Sequence, residues 1–114
     1  MTSLLQFDIF APYADRLVHG ITTKATGSLA GDDPNYDYRL EKIEKEIGSK
    51  PAFAIQIHSD IILKIDEPFG ERPEADALIT NQKGLPIGIK IADCQGILLF
   101  DPVKNVVAAV HSGW

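Results

Sequence analysis

Alternating apolar and polar positions in the last third of the chain predict a β-rich region. Ile87, Ile89 and Ile91 are separated by smaller or polar residues, which is the period of a strand with one buried face. Residues 97–100 and 106–110 are two short apolar runs, separated by a polar loop that contains a proline. Such runs joined by a short loop predict an antiparallel hairpin.

The predicted hairpin would place two reactive side chains near each other. If Phe100 pairs with Val106, then His111 lies opposite Gln95, and a slip of one position places it directly opposite Cys94. Facing residues in antiparallel strands have Cβ atoms about 5 Å apart. We therefore expect the hairpin to bring Cys94 and His111 close enough to share a metal ion or a proton.

The first half of the chain is predicted to mix strands with one helix. Residues 4–10 are apolar with polar interruptions and predict a first strand. After Pro34 the spacing changes to steps of three and four, and Gly48 provides a helix stop. The residues of this apolar helical stripe are Tyr36, Leu40, Ile43 and Ile47.

Residues 52–58 predict a further strand that ends at a histidine. Phe53, Ile55 and Ile57 would form its apolar face, whereas His58 would lie on the opposite face at the C-terminal end. With the helix and the other short strands, this pattern predicts the α+β class.

Composition limits the classes of function. The 114 residues suffice for one domain, 1–114, and the formal net charge of −5 argues against a nucleic-acid binder. The single cysteine excludes an internal disulfide. No apolar run reaches the length of a membrane span and no basic leader is visible, so we expect a cytoplasmic protein without membrane partners. Because the chain stops at Trp114 directly after a strand and turn, we also expect a domain truncated at its C-terminal end.

Three residues at or just beyond strand ends are the candidates for chemistry, namely His58, Cys94 and His111. Their separations along the chain are too long for a zinc-finger motif, so only convergence in space would make them a site. Two imidazoles and a thiolate form a recognised catalytic zinc set with an open fourth position, and the same set suits copper. A cysteine nucleophile with His111 as its base, and a purely structural role, are the remaining alternatives.

Several segments in this order resemble the YfiH-type laccase-domain family, in its N-terminal part. They are Q-I-H-S (residues 56–59), A-D-A-L-I-T (75–80), A-D-C (92–94), the hairpin that follows, and V-H-S-G-W (110–114). Members of this family have been described both as multicopper polyphenol oxidases and as purine nucleoside phosphorylases. The fold that the resemblance implies is a sandwich of mixed β-sheets flanked by helices.

The resemblance also implies roles for individual residues. His58, Cys94 and His111 would be the catalytic zinc ligands, and Lys24 and Asp93 would lie at substrate-binding positions. The implied reaction is phosphorolysis of adenosine, inosine, guanosine and methylthioadenosine to the base and the sugar 1-phosphate, with deamination of adenosine alongside. The partners would be a purine nucleoside and phosphate.

The sequence departs from the family pattern at several places. Lys24 stands where arginine is usual, which keeps the charge but loses the two-pronged geometry for phosphate. Ser59 replaces a glycine, and Gln95-Gly96 replace Leu-Pro. The family pattern also continues beyond Trp114 with a further half-domain.

Three hypotheses follow from these observations. The first is a zinc-dependent purine nucleoside phosphorylase with adenosine deaminase activity. The second is a copper-dependent polyphenol oxidase, which ranks lower because a laccase needs many histidines and this chain has three. The third is a non-catalytic fragment that needs a partner, either the missing C-terminal half or a second copy of itself.

Overall fold

In a computed structural model, which describes residues 4–113, the chain divides into two units between Lys50 and Pro51. None of the helices in this described range is long and apolar enough to cross a membrane. The predicted α+β class is confirmed, because one α-helix accompanies two separate β-sheets.

The first unit contains a 3₁₀ helix, Asp8–Tyr13, and the α-helix α1, Tyr36–Ile47. Leu40 and Ile43 from the predicted stripe are buried, and Gly48 ends α1 in the left-handed conformation with φ of 98°. The predicted helix and its stop are therefore confirmed. The prediction of a strand over residues 4–10 is wrong except for an isolated bridge between Leu5 and Ile21, since the chain turns into the 3₁₀ helix at Asp8.

The second unit contains six strands in two sheets within its described residues, 51–113. The larger sheet has the order β2-β3-β6-β5, with β2 and β3 parallel and the other two pairs antiparallel. The smaller sheet pairs β1 with β4 in parallel. The strands are β1 (Ala52–Phe53), β2 (Ile62–Lys64), β3 (Ala77–Thr80), β4 (Ile87–Gly88), β5 (Gln95–Asp101) and β6 (Val106–Ser112).

The hairpin of β5 and β6 is confirmed, but its register differs from the expected one. Phe100 pairs with Val107, and His111 faces Gly96 rather than Gln95 or Cys94. The reason lies at the turn, where Asp101 pairs with Val106 as part of the strand while its Oδ1 accepts the backbone N–H groups of residues 103 and 104. An aspartate that caps its own turn in this way shortens the loop by one residue.

A row of apolar side chains crosses the larger sheet and forms part of the core. The row consists of four residues that pair in register, one from each of β2, β3, β6 and β5, namely Leu63, Leu78, Ala109 and Leu98. Leu78 is only 1% exposed and belongs to a buried cluster with residues from outside this sheet. Burial of this row attaches β2, β3 and β6 to the remainder of the second unit.

The segment after β1 turns the opposite face toward the core from the one that the sequence pattern suggests. Ala52 and Ala54 are buried in the core cluster, whereas Ile55 and Ile57 are 44% and 42% exposed. The expected apolar face is therefore wrong. Within residues 52–57, both buried positions are alanines, Ala52 and Ala54.

Leu78→Ala is expected to lower the free energy of unfolding by about 2–5 kcal/mol, because it leaves a cavity in the buried cluster. Urea titration followed by circular dichroism measures this loss. Leu99→Ala is the matched control, since Leu99 is 56% exposed and its truncation should cost less than about 1 kcal/mol. Equal losses in the two variants would contradict the assignment of the core.

Candidate metal centre

His58, Cys94 and His111 converge although they are distant along the chain. One nitrogen of each imidazole and the cysteine sulfur all lie within 4.8 Å of one another. The rings of His58 and His111 meet edge to face, with centroids 5.1 Å apart and an angle of 88° between their planes. His111 is buried, Cys94 is half-buried and His58 is exposed, so the cluster opens to solvent on the His58 side.

Each of the three side chains comes from a different structural context. His111 lies within β6, opposite Gly96, and Cys94 comes immediately before β5. His58 follows the extended segment after β1 and has a left-handed backbone with φ of 60°. This conformation is uncommon for a residue other than glycine, so the surroundings of His58 must hold it in place.

A buried carboxylate contacts the innermost histidine. Asp76 is 2% exposed. It immediately precedes β3, whose first residue, Ala77, pairs with Val110 of β6. Its Oδ2 lies 2.7 Å from Nδ1 of His111, and its backbone carbonyl accepts the His111 N–H at 2.7 Å. His111 is therefore bound to Asp76 through both its backbone and its side chain.

The same carboxylate accepts hydrogen bonds from the turn that carries His58. The backbone N–H of Ile57 donates to Oδ1 at 3.0 Å and that of His58 to Oδ2 at 3.0 Å. The backbone N–H and hydroxyl of Ser59 donate to Oδ1 at 2.9 Å and 2.8 Å. Three successive backbone N–H groups thus surround one negative charge.

These donors keep Asp76 ionised despite its burial. Burial alone would raise the pKa of Asp76, but the Ser59 backbone N–H, the His111 imidazole and the Ile57 backbone N–H together hold that pKa well below its ordinary value. An ionised carboxylate only accepts hydrogen bonds, so Nδ1 of His111 must carry a proton. Nε2 of His111 is then the nitrogen whose lone pair is available in the neutral ring.

The cluster fits a transition-metal ion. Zinc bonds of about 2.0–2.3 Å in tetrahedral geometry separate ligand atoms by about 3.3–3.8 Å, which small side-chain rotations reach from the observed separations. Imidazole and thiolate are ligands that both zinc and copper accept. The hydrogen bond from His111 to Asp76 is also the contact that metal-binding histidines usually make with their second nitrogen.

The remaining predicted site residues lie in two different places. Asp93 is exposed and directly precedes Cys94 in the chain. Lys24 is exposed in a turn of the first unit. The roles predicted for these two residues, and the ligand roles of the cluster, stay predictions.

Sequence reasoning missed Asp76 and treated Ser59 only as a departure from a pattern. A signal for Asp76 was present, because it is the one charged residue between the apolar residues Ala75 and Ile79 of a buried strand region. A carboxylate at such a position requires nearby donors to compensate its charge. Three of the donors of residues 57–59 could not be identified from the pattern, since they are backbone N–H groups.

Comparison with known proteins identifies relatives of this chain. The family model described as multi-copper polyphenol oxidoreductase laccase matches residues 23–114. A purine nucleoside phosphorylase of Streptomyces coelicolor is 38% identical over 93 residues, which cover 76% of this chain and 38% of the relative. A purine nucleoside phosphorylase of Clostridium acetobutylicum is 54% identical over 59 residues, covering 52% of this chain and 25% of the relative.

Solved structures give the same picture of the fold. A crystal structure of a Neisseria meningitidis protein of the DUF152 family matches with a TM-score of 0.68 and 31% identity, over 77% of this chain and 37% of that one. The Bacillus licheniformis protein YfiH matches with a TM-score of 0.63 and 25% identity, over 69% of this chain and 34% of that one. The predicted YfiH-like fold is confirmed, and the chain spans well under half the length of these relatives.

Asp76→Asn is expected to be less stable than the wild type at pH 7, by about 1–3 kcal/mol, because a buried charge-assisted network is lost. The pKa of Asp76 is lowered in the folded state, so its contribution is complete above the unfolded value of about 3.9 and is lost as the pH falls below it. The difference between variant and wild type should therefore shrink below about pH 4.

Urea unfolding of both proteins at a series of pH values, with chelator present, measures this difference. Asp60→Asn is the matched control, because Asp60 is an exposed carboxylate next to the same turn. Its difference from the wild type should stay small at every pH. A difference for Asp76→Asn that does not change with pH would contradict the assigned ionisation.

Proposed function

The chain belongs to the multi-copper polyphenol oxidoreductase laccase family, and on this premise we propose that it carries the metal centre of a zinc-dependent purine nucleoside phosphorylase. The observation that carries the proposal is the convergence of His58, Cys94 and His111 to within 4.8 Å. The names of relatives from two bacterial genera support the reaction class.

In this proposal the three clustered side chains hold one zinc ion, His111 through Nε2 and Cys94 as thiolate. A donor set of two nitrogens and one sulfur suits zinc with a vacant fourth position. When bound, zinc supplies Lewis-acid activation of an oxygen group at neutral pH. The exposed His58 lies at the solvent-facing side of the cluster, where a substrate would enter.

The proposed substrates are a purine nucleoside and phosphate. A phosphate oxygen forms the new bond to C1′ of the ribose as the bond from C1′ to N9 breaks, which yields the free base and ribose 1-phosphate. Lys24 would contribute positive charge toward phosphate and Asp93 a contact to the nucleoside. Adenosine, inosine, guanosine and methylthioadenosine are the proposed nucleosides, and deamination of adenosine, in which water replaces ammonia at C6, is a proposed second activity.

A copper-dependent polyphenol oxidase is the second candidate, because the family description names copper and laccase activity. One feature of the chain argues against it. Of its three histidines, His19 accepts a hydrogen bond from the backbone N–H of Phe7 at 2.8 Å and belongs to the first unit. Two histidines and one cysteine provide for a single metal ion, whereas a laccase requires several copper centres.

Metal content of the purified chain tests the centre itself. The wild type is expected to contain about one zinc ion per chain, and Cys94→Ser should lose most of it because a hydroxyl is a much poorer zinc ligand than a thiolate. Mass spectrometry of the metal content after dialysis measures both. Asp60→Asn should retain the wild-type content. Equal zinc in wild type and Cys94→Ser would count against the centre, and copper in place of zinc would favour the oxidase.

Activity is tested by incubating the chain with adenosine and phosphate and separating the products by chromatography. Adenine that appears only when phosphate is present is the expected product, with inosine if deamination occurs as well. His111→Ala should reduce product formation to background, since it removes a ligand and its hydrogen bond to Asp76. Oxidation of a phenolic substrate without any phosphorolysis would overturn the proposal.

The same purified chain also tests the hypothesis of a non-catalytic fragment that needs a partner. The chain spans 38% of the Streptomyces coelicolor relative, so a zinc-loaded but inactive chain would assign catalysis to the longer protein. Size-exclusion chromatography and hydrogen exchange then report whether the isolated chain associates with itself or exposes unprotected strand edges.

A further inference from the structure

We propose that Asp76 is a positioning residue that sets both histidines of the centre at once, selecting Nε2 of His111 as its ligand atom and fixing the turn that presents His58. The inference rests on the proposed function, because it describes how the chain prepares the same cluster for a metal ion. It goes beyond that function by assigning the geometry of two proposed ligands to one carboxylate that is not itself among the three clustered side chains.

Asp76 determines which ring nitrogen of His111 carries the proton. Its Nδ1 lies 2.7 Å from Oδ2 of Asp76, and both side chains are buried. A carboxylate at this distance holds the proton on Nδ1 and leaves the lone pair on Nε2. A carboxylate also increases the electron density of the ring to which it is bonded, which strengthens the ligand.

Asp76 also binds the backbone of the turn that carries His58. Its left-handed backbone, with φ of 60°, lies in the middle of the three residues whose N–H groups converge on Asp76. Within the described residues, only Asn105 is a further non-glycine residue with positive φ, and it lies at the hairpin turn. The three hydrogen bonds to Asp76 are formed with this bent backbone, so they offset the cost of the unusual conformation at His58.

The two oxygens of Asp76 divide the donors between them. Oδ2 accepts from both histidines, from the ring of His111 and from the backbone of His58, whereas Oδ1 accepts from Ile57 and Ser59. A rotation of the carboxylate that improves one set of bonds must weaken the other. The two ligands, which are distant in sequence, are therefore coupled through one rigid group.

The wild-type chain gives a direct test without any substitution. Long-range proton–nitrogen NMR correlations of the imidazoles, recorded on metal-free protein at about pH 8, above the ordinary histidine pKa, identify the nitrogen that carries the proton. His111 should be in the form protonated on Nδ1. A His111 protonated on Nε2 alone would overturn the proposal, whatever the variants show.

Zinc affinity of variants provides the second test, measured by competition with a chromophoric chelator. Asp76→Asn should bind zinc about 10–100-fold more weakly than the wild type. The asparagine amide keeps one acceptor oxygen, but its NH₂ group is a donor and cannot accept the hydrogen bonds that the second carboxylate oxygen accepts in the wild type. Ser59→Ala removes only one of the bonds to Oδ1 and should lower the affinity by a smaller factor. Asp60→Asn removes the same charge from an exposed neighbouring position and should leave the affinity unchanged.

The absorption spectrum of bound cobalt separates positioning from general loss of stability. In Asp76→Asn the visible bands of cobalt should shift or lose intensity, since the two imidazoles no longer meet the ion at the same angles. An Asp76→Asn variant with wild-type zinc affinity and an unchanged cobalt spectrum would overturn the proposal. If the wild type binds no metal at all, the proposed function fails, and the protonation state of His111 still decides whether Asp76 selects its tautomer.

Discussion

The second unit depends on the compensation of one buried negative charge. Asp76 is 2% exposed, and an uncompensated carboxylate at such a position would destabilise the fold severely. Five donors, from residues 57–59 and from His111, satisfy both of its oxygens. The charge therefore links the turn that carries His58 to β3 and β6, and His58, Cys94 and His111 converge where these parts meet.

The apolar packing beneath this site determines where the carboxylate can lie. Leu78 belongs to the buried cluster and lies in the same row as Ala109 of β6, so the pairing of β3 with β6 is fixed by burial. Asp76 lies two residues before Leu78, and His111 lies two residues after Ala109. Because every second side chain of a strand lies on the same face of the sheet, Asp76 and His111 are neighbours on the face that carries Leu78 and Ala109. The core thus places the hydrogen-bonded pair of Asp76 and His111 at the end of the sheet.

Burial decreases across the cluster from His111 to His58. His111 is buried and its ring is hydrogen-bonded to Asp76, whereas His58 is exposed and donates to Asp76 through its backbone N–H. Ile55 and Ile57, which precede His58 in the chain, are also exposed.

The hydrophobic pattern predicted α1 and its end at Gly48, and the hairpin of β5 and β6, because each depends on local spacing. Residue type alone makes His58, Cys94 and His111 candidates, and only the tertiary structure shows that they converge. The hydrophobic pattern did not predict the 3₁₀ helix at Asp8–Tyr13. It also placed the hairpin register one residue off, because the bond pattern of Asp101 at the turn decides which residue is the last of the strand. Tertiary packing alone decided that Ala52 and Ala54 face the core in place of the larger isoleucines, and that Asp76 joins two histidines, since both results depend on close contacts between segments that are far apart in the chain.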